Sequence, residues 1–334
     1  MSPKHLVFRF KQMKHDYIGH TSRLKTLWYV FDYAFSLLIY GASISDYFAY
    51  GFYKLRPAGK NEYITFRRFL NRKWGFFLFC RLIKFFLHIL RQIMIDFNTH
   101  FSKYLGREWL DTKTVSKEEL MQFMQKHPII FAKDIMGFRG DGVSRIDTTK
   151  TPIDSLLHKI TNQEDAHYIL EEPLSEIEEL HDFHPSSINT LRIVTLYDTK
   201  HNTTHVISAC FRMGNNNYHV DNFHYDGIAA NIHIESGIIN SMGYDKHNRL
   251  YTHHPISQKK IIGTSIPHWE TCVQFVKEAA KQIPSICYIG WDVVINKNGK
   301  ICLIEANDNA DHDIQQLHNR GLWKEYKQFL HNIK

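Results

Sequence analysis

The sequence predicts an α+β protein, with a mixed α/β arrangement as the near alternative, behind a helical and basic N-terminal region. Three observations carry this. From residue 113 onward, short β-rich runs alternate with amphipathic helices. Two of those runs face each other across a polar turn as a hairpin at 287–307. The first third reads as helical instead, with a basic amphipathic stretch at 74–97.

At 334 residues the chain is long enough for about two domains, and it can bury a core without disulfide or metal staples. The division falls at 1–112 and 113–334, and the second part splits again near 113–175 and 176–334. With 17 Gly, 9 Pro and no low-complexity run, disorder is excluded. The five cysteines (Cys80, Cys210, Cys272, Cys287, Cys302) are odd in number and lack paired spacing. That argues against a secreted disulfide framework and for a reducing cytosol. The opening MSPKHLVFRFKQMKHDYIGH has no apolar core region, so a signal peptide is not expected.

Charge divides the chain in the same place. Residues 1–110 hold 18 Lys+Arg against 6 Asp+Glu, a net of +12, while residues 111–334 carry a net of −5. The basic third lacks any zinc-finger, RNP-like or basic-zipper pattern, which disfavours nucleic acid as a partner. Its longest uncharged stretch, Tyr33 to Ser45, is too short to cross a bilayer, which takes about 20 apolar residues as a helix. Within 74–97, Arg81, Lys84, His88 and Arg91 share one helical face opposite a wide Phe/Leu/Ile surface. Such a helix either packs on the second domain or lies on an anionic membrane surface with its cations at the headgroups.

The elements of the second part follow in order. Ser116 and Glu119 form a capping box that starts a helix at about 116–126. HPIIFAKD (127–134) and HYILEEPL (167–174) read as strands, as do LRIVTLYD (191–198) and HVISACFRMG (205–214), joined by a polar turn at 201–204. WETCVQFVKEAAKQI (269–283) is an amphipathic helix with Val273, Val276 and Ala280 on one side.

The hairpin carries the chemistry with the sharpest pattern. Asp292 lies in its first strand, and Glu305 and Asn307, two apart in the second, share a face. Two carboxylates and an amide oxygen brought together form a hard-oxygen set suited to Mg²⁺. Mg²⁺ held this way commonly serves nucleotide phosphates. The bland alternative, exposed hairpin charges, sits poorly with the apolar settings IGWDVV and CLIEAN, because an unpaired buried carboxylate is costly. A second signal is FAKDIMGFRGDGV (131–143), where Lys133 ends a strand and Gly137, Gly140 and Gly142 follow. Glycines let backbone N–H groups turn to a phosphate and Lys133 adds a point charge, although an ordinary turn has the same composition. Neither a P-loop nor a dinucleotide fingerprint is present.

A lysine-ending strand, a glycine loop, an acidic strand end at Glu171-Glu172 and then D-x₁₂-E-x-N resemble, in that order, the ATP-grasp superfamily. The stretch 187–228 is similar to its glutamate-ligase-like branch. HPSSINTLRIVTL, VDNF, GTSIPHW, IGWDVVI and the earlier YGASISDYFAYGFYKL resemble the sugar-transfer-associated ATP-grasp family, found with capsule and lipopolysaccharide genes. The resemblance implies two α+β subdomains gripping ATP, with ATP and Mg²⁺ as cofactors. It places Lys133 with Gly137, Gly140 and Gly142 at the phosphates, and Glu171, Glu172 and Leu174 at the adenosine. It assigns Asp292, Glu305 and Asn307 to the metal, and Arg192 and Arg212 to the transferring phosphoryl group or acyl phosphate. Asp221, Asn222 and Gly227 fall in the loop over the acceptor, and His184 and Asn189 are further substrate contacts. Several positions depart from the family pattern. Asp134 stands where proline is common, Asp226-Gly227 replaces Gly-Gly, and the second ATP lysine has no unambiguous match, Lys103 being a candidate only. Residues 1–95 do not read as a βαβ pre-domain.

Other chemistries fit less well. The 22 histidines include His181/His184, His253/His254 and His312 near the hairpin, but none is paired with cysteine at zinc spacing, and H-E-x-x-H is absent. No G-x-S-x-G elbow occurs and no cysteine looks activated. The expected activity is therefore ATP-dependent activation of a carboxylate as an acyl phosphate and its transfer to an amine or hydroxyl in surface-glycan biosynthesis. The implied partners are a glycan precursor or nucleotide sugar and a small carboxylate or amine. The expected location is the cytoplasm, including the inner face of the membrane. A kinase-like phosphotransferase and a non-catalytic scaffold in glycan assembly are the alternatives.

Overall fold

The computed structural model describes residues 3–65, 97–135, 142–156, 167–215, 226–308, 310, 314–316 and 321–332. The helix expected at 74–97 lies outside them. In the N-terminal region, α1 (Pro3–Ile18), α2 (Arg23–Tyr40), α3 (Ile44–Ala49) and α4 (Pro57–Lys60) follow one another through short links. Ser22 caps α2, Gly41 ends it in the left-handed region at φ 66°, and Ser43 with Asp46 forms a capping box for α3. Their inner faces meet in an aromatic core that includes Tyr29, Tyr33, Tyr40, Tyr47, Phe48 and Tyr53. Tyrosine in a core needs a partner for its hydroxyl. Tyr47 donates to Asp32 Oδ2 at 2.9 Å, and Asp32 pairs with the buried Lys60 at 2.5 Å.

This region is fastened to the far end of the chain. The Gln316 side chain accepts from the Ile64 N–H at 2.7 Å and donates to the Ile64 carbonyl at 3.0 Å. Ile64 also packs with Leu322 and with Tyr326 of the helix α9 (Trp323–Asn332) that follows it.

Beyond α5 (Ser102–Leu105), the chain builds two antiparallel sheets. The smaller holds β1 (Trp109–Asp111), β2 (Ile129–Asp134), β3 (Val143–Asp147) and β4 (Tyr168–Glu171) in the order β1-β4-β2-β3. Its helix α6 (Lys117–Lys126) begins at the Ser116–Glu119 capping box and turns Leu120, Phe123 and Met124 onto Ile130, Ala132 and Leu170. β2 starts at Ile129 because His127 closes α6 and Pro128 follows without an N–H. β4 ends two residues before Pro173 for the same reason.

After α7 (Glu178–His181) comes the larger sheet. It contains β5 (Thr190–Asp198), β6 (Thr203–Met213), β7 (Ile228–Asn231), β8 (Gly243–Tyr244), β9 (Leu250–Tyr251), β10 (Tyr288–Ile295) and β11 (Ile301–Asn307). Their order is β11-β10-β5-β6-β7-β8-β9. The amphipathic helix α8 (Trp269–Gln282) lays Cys272, Val276 and Ala280 against one face, where Ile193, Phe211, Trp291 and Leu303 meet them. On the opposite face, Val194, Leu196 and Tyr288 pack with Leu322 and Tyr326. Cover on both faces explains why β5, β6 and β10 are nearly continuous apolar runs. Alternation then isolates a few polar residues on the second face, and those form the site.

Candidate functional site

The hairpin β10–β11 turns through Asn296–Lys300 with Gly299 at φ 75°. An irregularity sits beside the acid. Asp292 pairs with Glu305, but its neighbour Val293 pairs with Leu303, so Ile304 is an extra residue in β11. Asp292 thereby stands directly across from Glu305, and Gly290 across from Asn307. On the other side of β10, Asp292 faces Arg192 of β5, and Arg212 of β6 faces Thr190.

Contacts follow from this register. Arg192 donates through Nε and Nη2 to both Asp292 oxygens, the second bond at 2.9 Å, and Arg212 Nη1 donates to Asp292 Oδ2 at 2.9 Å. Arg192 Nη2 lies 3.8 Å from Glu305 Oε1, which accepts from Asn307 Nδ2 at 2.8 Å. Gly290 makes room for this cluster: a Cβ there would come within 2.5 Å of Ala310 Cβ and 3.2 Å of Arg192 Cδ. Burial works against ionisation of Asp292, but the two guanidiniums outweigh it and hold the carboxyl well below its usual range. Glu305 moves the other way, raised by desolvation and by the adjacent Asp292 carboxylate.

Asp292, Glu305 and Asn307 therefore come together, and their hard oxygens fit a cation such as Mg²⁺. Glu305 is the oxygen donor most in need of positive charge, and Asp292 would divide its oxygens between a metal and the two arginines that donate to it. Among the described residues no group of three or more His, Cys, Asp or Glu could hold a metal. The hairpin set reaches three only through an amide.

In the smaller sheet, β2 and β4 place Lys133 opposite Ile169, two residues from Glu171 and on the same face. Lys133 Nζ meets Glu171 Oε2 at 2.6 Å. Glu171 Oε1 accepts from Arg107 at 2.8 Å and from Asn98 Nδ2 at 3.2 Å. Burial raises the Glu171 pKa, the charges of Lys133 and Arg107 outweigh that, and it settles at about 2. Glu171, expected at the adenosine, is thus a counter-ion inside the protein. Glu172 remains half-buried and accepts from the Glu108 N–H at 3.0 Å, with Leu174 half-buried just beyond. Gly142, at φ 92°, accepts from the Asp134 N–H at 3.0 Å and closes the turn into β3. Gly137 and Gly140 lie outside the described residues.

Arg107 has no sequence signal. Besides Glu171 it donates to the Leu303 carbonyl of β11 at 2.6 Å, so one buried side chain ties the lysine of the small sheet to the hairpin of the large one. Gly106 permits the approach: it has φ 64°, and a Cβ there would lie 2.2 Å from Cys302 Sγ. Lys103, the candidate for a second lysine, is exposed on α5.

On the substrate side, His184 and Asn189 are 2% and 1% exposed and hydrogen-bonded within the protein. His184 Nδ1 bonds Ser187 Oγ at 2.7 Å, and Asn189 Nδ2 donates to Glu176 and to the Leu180 carbonyl at 3.2 and 3.0 Å. Asn189 Oδ1 also accepts from the Gly214 N–H at 3.4 Å, so both residues support the end of β6 from within. Gly227 is buried at the start of β7. Beside it Asp226, at φ 67°, is bound by Lys246 and His247 at 3.1 and 3.2 Å. Asp221 and Asn222 lie outside the described residues.

A model of the sugar-transfer associated ATP-grasp family matches residues 121–331. Among solved structures, the fold is similar to ATP-grasp ligase PsnB complexed with minimal precursor, at 12% identity and a TM-score of 0.42, over 73% of this chain and 59% of that one. It is similar to D-cycloserine synthetase DcsG at 11% identity and a TM-score of 0.42, over 73% and 70% of the two chains. It is similar as well to D-alanyl-alanine synthetase A from Vibrio cholerae O1 biovar eltor, at 9% identity and a TM-score of 0.41, over 71% and 62%. No curated protein matches the sequence.

Proposed function

Because the chain belongs to the sugar-transfer associated ATP-grasp family, we propose that it is an ATP-dependent ligase that joins a carboxylate to an amine or hydroxyl in surface-glycan assembly. One observation carries the reading. Arg192 and Arg212 converge on Asp292, beside Glu305 and Asn307, on a sheet whose other face is apolar core. Buried ion clusters stabilise a fold no better than well-packed apolar residues do, so this one calls for a functional reason.

Asp292, Glu305 and Asn307 are the residues that would hold Mg²⁺, and Mg-ATP when bound supplies the phosphoryl group that turns a carboxylate into an acyl phosphate. Arg192 and Arg212 stabilise the negative charge that develops on the transferring oxygens, and Asp292 keeps both guanidiniums in place beforehand. Lys133 meets the nucleotide phosphates at the base of the Gly142 turn, with Glu171 fixing its direction. Glu172 and Leu174 take the adenosine. Gly227, with Asp221 and Asn222, belongs to the acceptor side. The acceptor class is a glycan precursor or nucleotide sugar, and the location is the cytoplasm, where ATP and such precursors occur together.

The test is incubation with ATP, Mg²⁺ and a sugar-precursor extract, followed by mass spectrometry and hydroxylamine trapping. A ligase gives ADP, phosphate, a condensed product and a hydroxamate, all lost in Glu305→Gln. ADP with a phosphorylated product and no hydroxamate would mean a phosphotransferase. Full turnover in Glu305→Gln would sink the site.

A further inference from the structure

The helix α2 is built inside out. At helical spacing, Leu24, Leu27, Phe31, Phe35 and Leu38 form one stripe and are 81, 54, 73, 46 and 74% exposed, with Trp28 beside them at 51%. The opposite stripe, Tyr29, Tyr33, Ser36 and Tyr40, is buried. Asp32 is drawn inward as well, to Lys60 and the Tyr47 hydroxyl. A helix on the surface of a water-soluble protein shows the reverse arrangement, and isolated exposed leucines do not form a stripe five residues long.

Charge around the stripe indicates what covers it. Arg23 and Lys25 are exposed at the start of α2, and Arg9 and Lys11 are exposed on α1. Among the described side chains of these two helices, Asp16 is the one exposed acid. A second copy docking by two-fold symmetry would bring the same cationic rim from both partners, with that one exposed acid, Asp16, to meet it. At 18 residues α2 is about 27 Å long, but with Arg23, Lys25 and Asp32 along it, it does not span a bilayer; no described helix is long and apolar enough to do so. An apolar stripe of Leu, Phe and Trp with Arg and Lys at its rim is the composition of a helix lying in a membrane interface.

We propose that the outward stripe of α2 seats the protein on an anionic phospholipid surface, its leucines and phenylalanines among the acyl chains and Arg23 and Lys25 at the phosphates. The contact is separate from the catalytic face and does not rest on the ligase reading. It also differs from the 74–97 helix expected from sequence.

Flotation of the full chain with phosphatidylcholine vesicles, with and without phosphatidylglycerol, tests the assignment. Binding should require phosphatidylglycerol and weaken with salt. Each of Arg23→Gln and Lys25→Gln should cost about fivefold in affinity, and Phe31→Gln with Leu38→Gln more than tenfold. These positions are exposed, so nucleotide binding and helical circular dichroism should match the wild type and report an intact fold. Three results would overturn the proposal. One is no binding to either vesicle; another is undiminished binding by Phe31→Gln/Leu38→Gln, which would hand the contact to residues such as 74–97. The third is a soluble dimer, without vesicle binding, that this double variant splits.

Discussion

Replacing Arg107 with glutamine removes one charge and leaves four acceptors short: Glu171 Oε1 at 2.8 Å and the carbonyls of Leu303, Leu105 and Ile304 at 2.6, 3.3 and 3.4 Å. The Glu171 pKa of about 2, against an ordinary 4.5, corresponds to about 3 kcal/mol of stabilisation from its surroundings. Lys133 and Arg107 supply that jointly. Loss of the charged hydrogen bond to Leu303 adds about 1.5–3 kcal/mol. The expected destabilisation is about 3–5 kcal/mol at neutral pH, a large part of a typical domain's stability. The folded pKa lies below the unfolded one, so the ionic contribution is full above about 4.5 and is lost as pH falls toward about 2. In Arg107→Gln, Lys133 is the one charge left on Glu171 and its pKa rises toward 4.5, so a smaller ionic contribution is lost over a narrower range just below about 4.5. The deficit against wild type should therefore be largest at neutral pH and shrink in acid. Urea midpoints across this range, with a double-mutant cycle against Glu171→Gln, measure it. The cycle should show coupling of at least about 1.5 kcal/mol. Additive effects, or Arg107→Gln within about 0.5 kcal/mol of wild type, would refute the claim that Arg107 joins the sheets through Glu171.

Three further variants test the catalytic face. Lys133→Ala should weaken nucleotide binding about 10–100-fold by calorimetry, whereas Arg212→Ala should lower kcat about 100-fold with little change in the KM for ATP; an effect of Arg212→Ala on KM alone would refute its role. Gly290→Ala should lower stability by about 1–3 kcal/mol in thermal melts and depress turnover with it, since its Cβ would press on Ala310 and on the Arg192 stem.

Legibility in the sequence tracks distance along the chain. The hairpin is local, so the spacing of Asp292, Glu305 and Asn307 foretells their meeting, although not the extra Ile304 that sets the register. The capping box at Ser116 and the strands β5, β6 and β10 are likewise set by neighbours a few residues apart. Arg192 and Arg212 find Asp292 across 100 and 80 residues, and Arg107 finds Leu303 across 196. Nothing local to an arginine announces such a partner. His184 and Asn189 show a related point: that they lie against Gly214 at the end of β6 is set by packing across 30 and 25 residues and is not written in their own neighbourhoods.

The α2 stripe shows a different limit. Its leucines and phenylalanines recur at a spacing any reader of the sequence could find, but periodicity defines a stripe without saying which side of the helix is the core. The opposite stripe is tyrosine, which carries an apolar ring and a polar tip and can serve on either side. The choice was made by Asp32, whose pairing with Lys60 and Tyr47 pulls the polar side inward and leaves the hydrocarbon outside. An acid in the middle of an apolar helix, matched by a lysine 28 residues later, is therefore what turns α2 over.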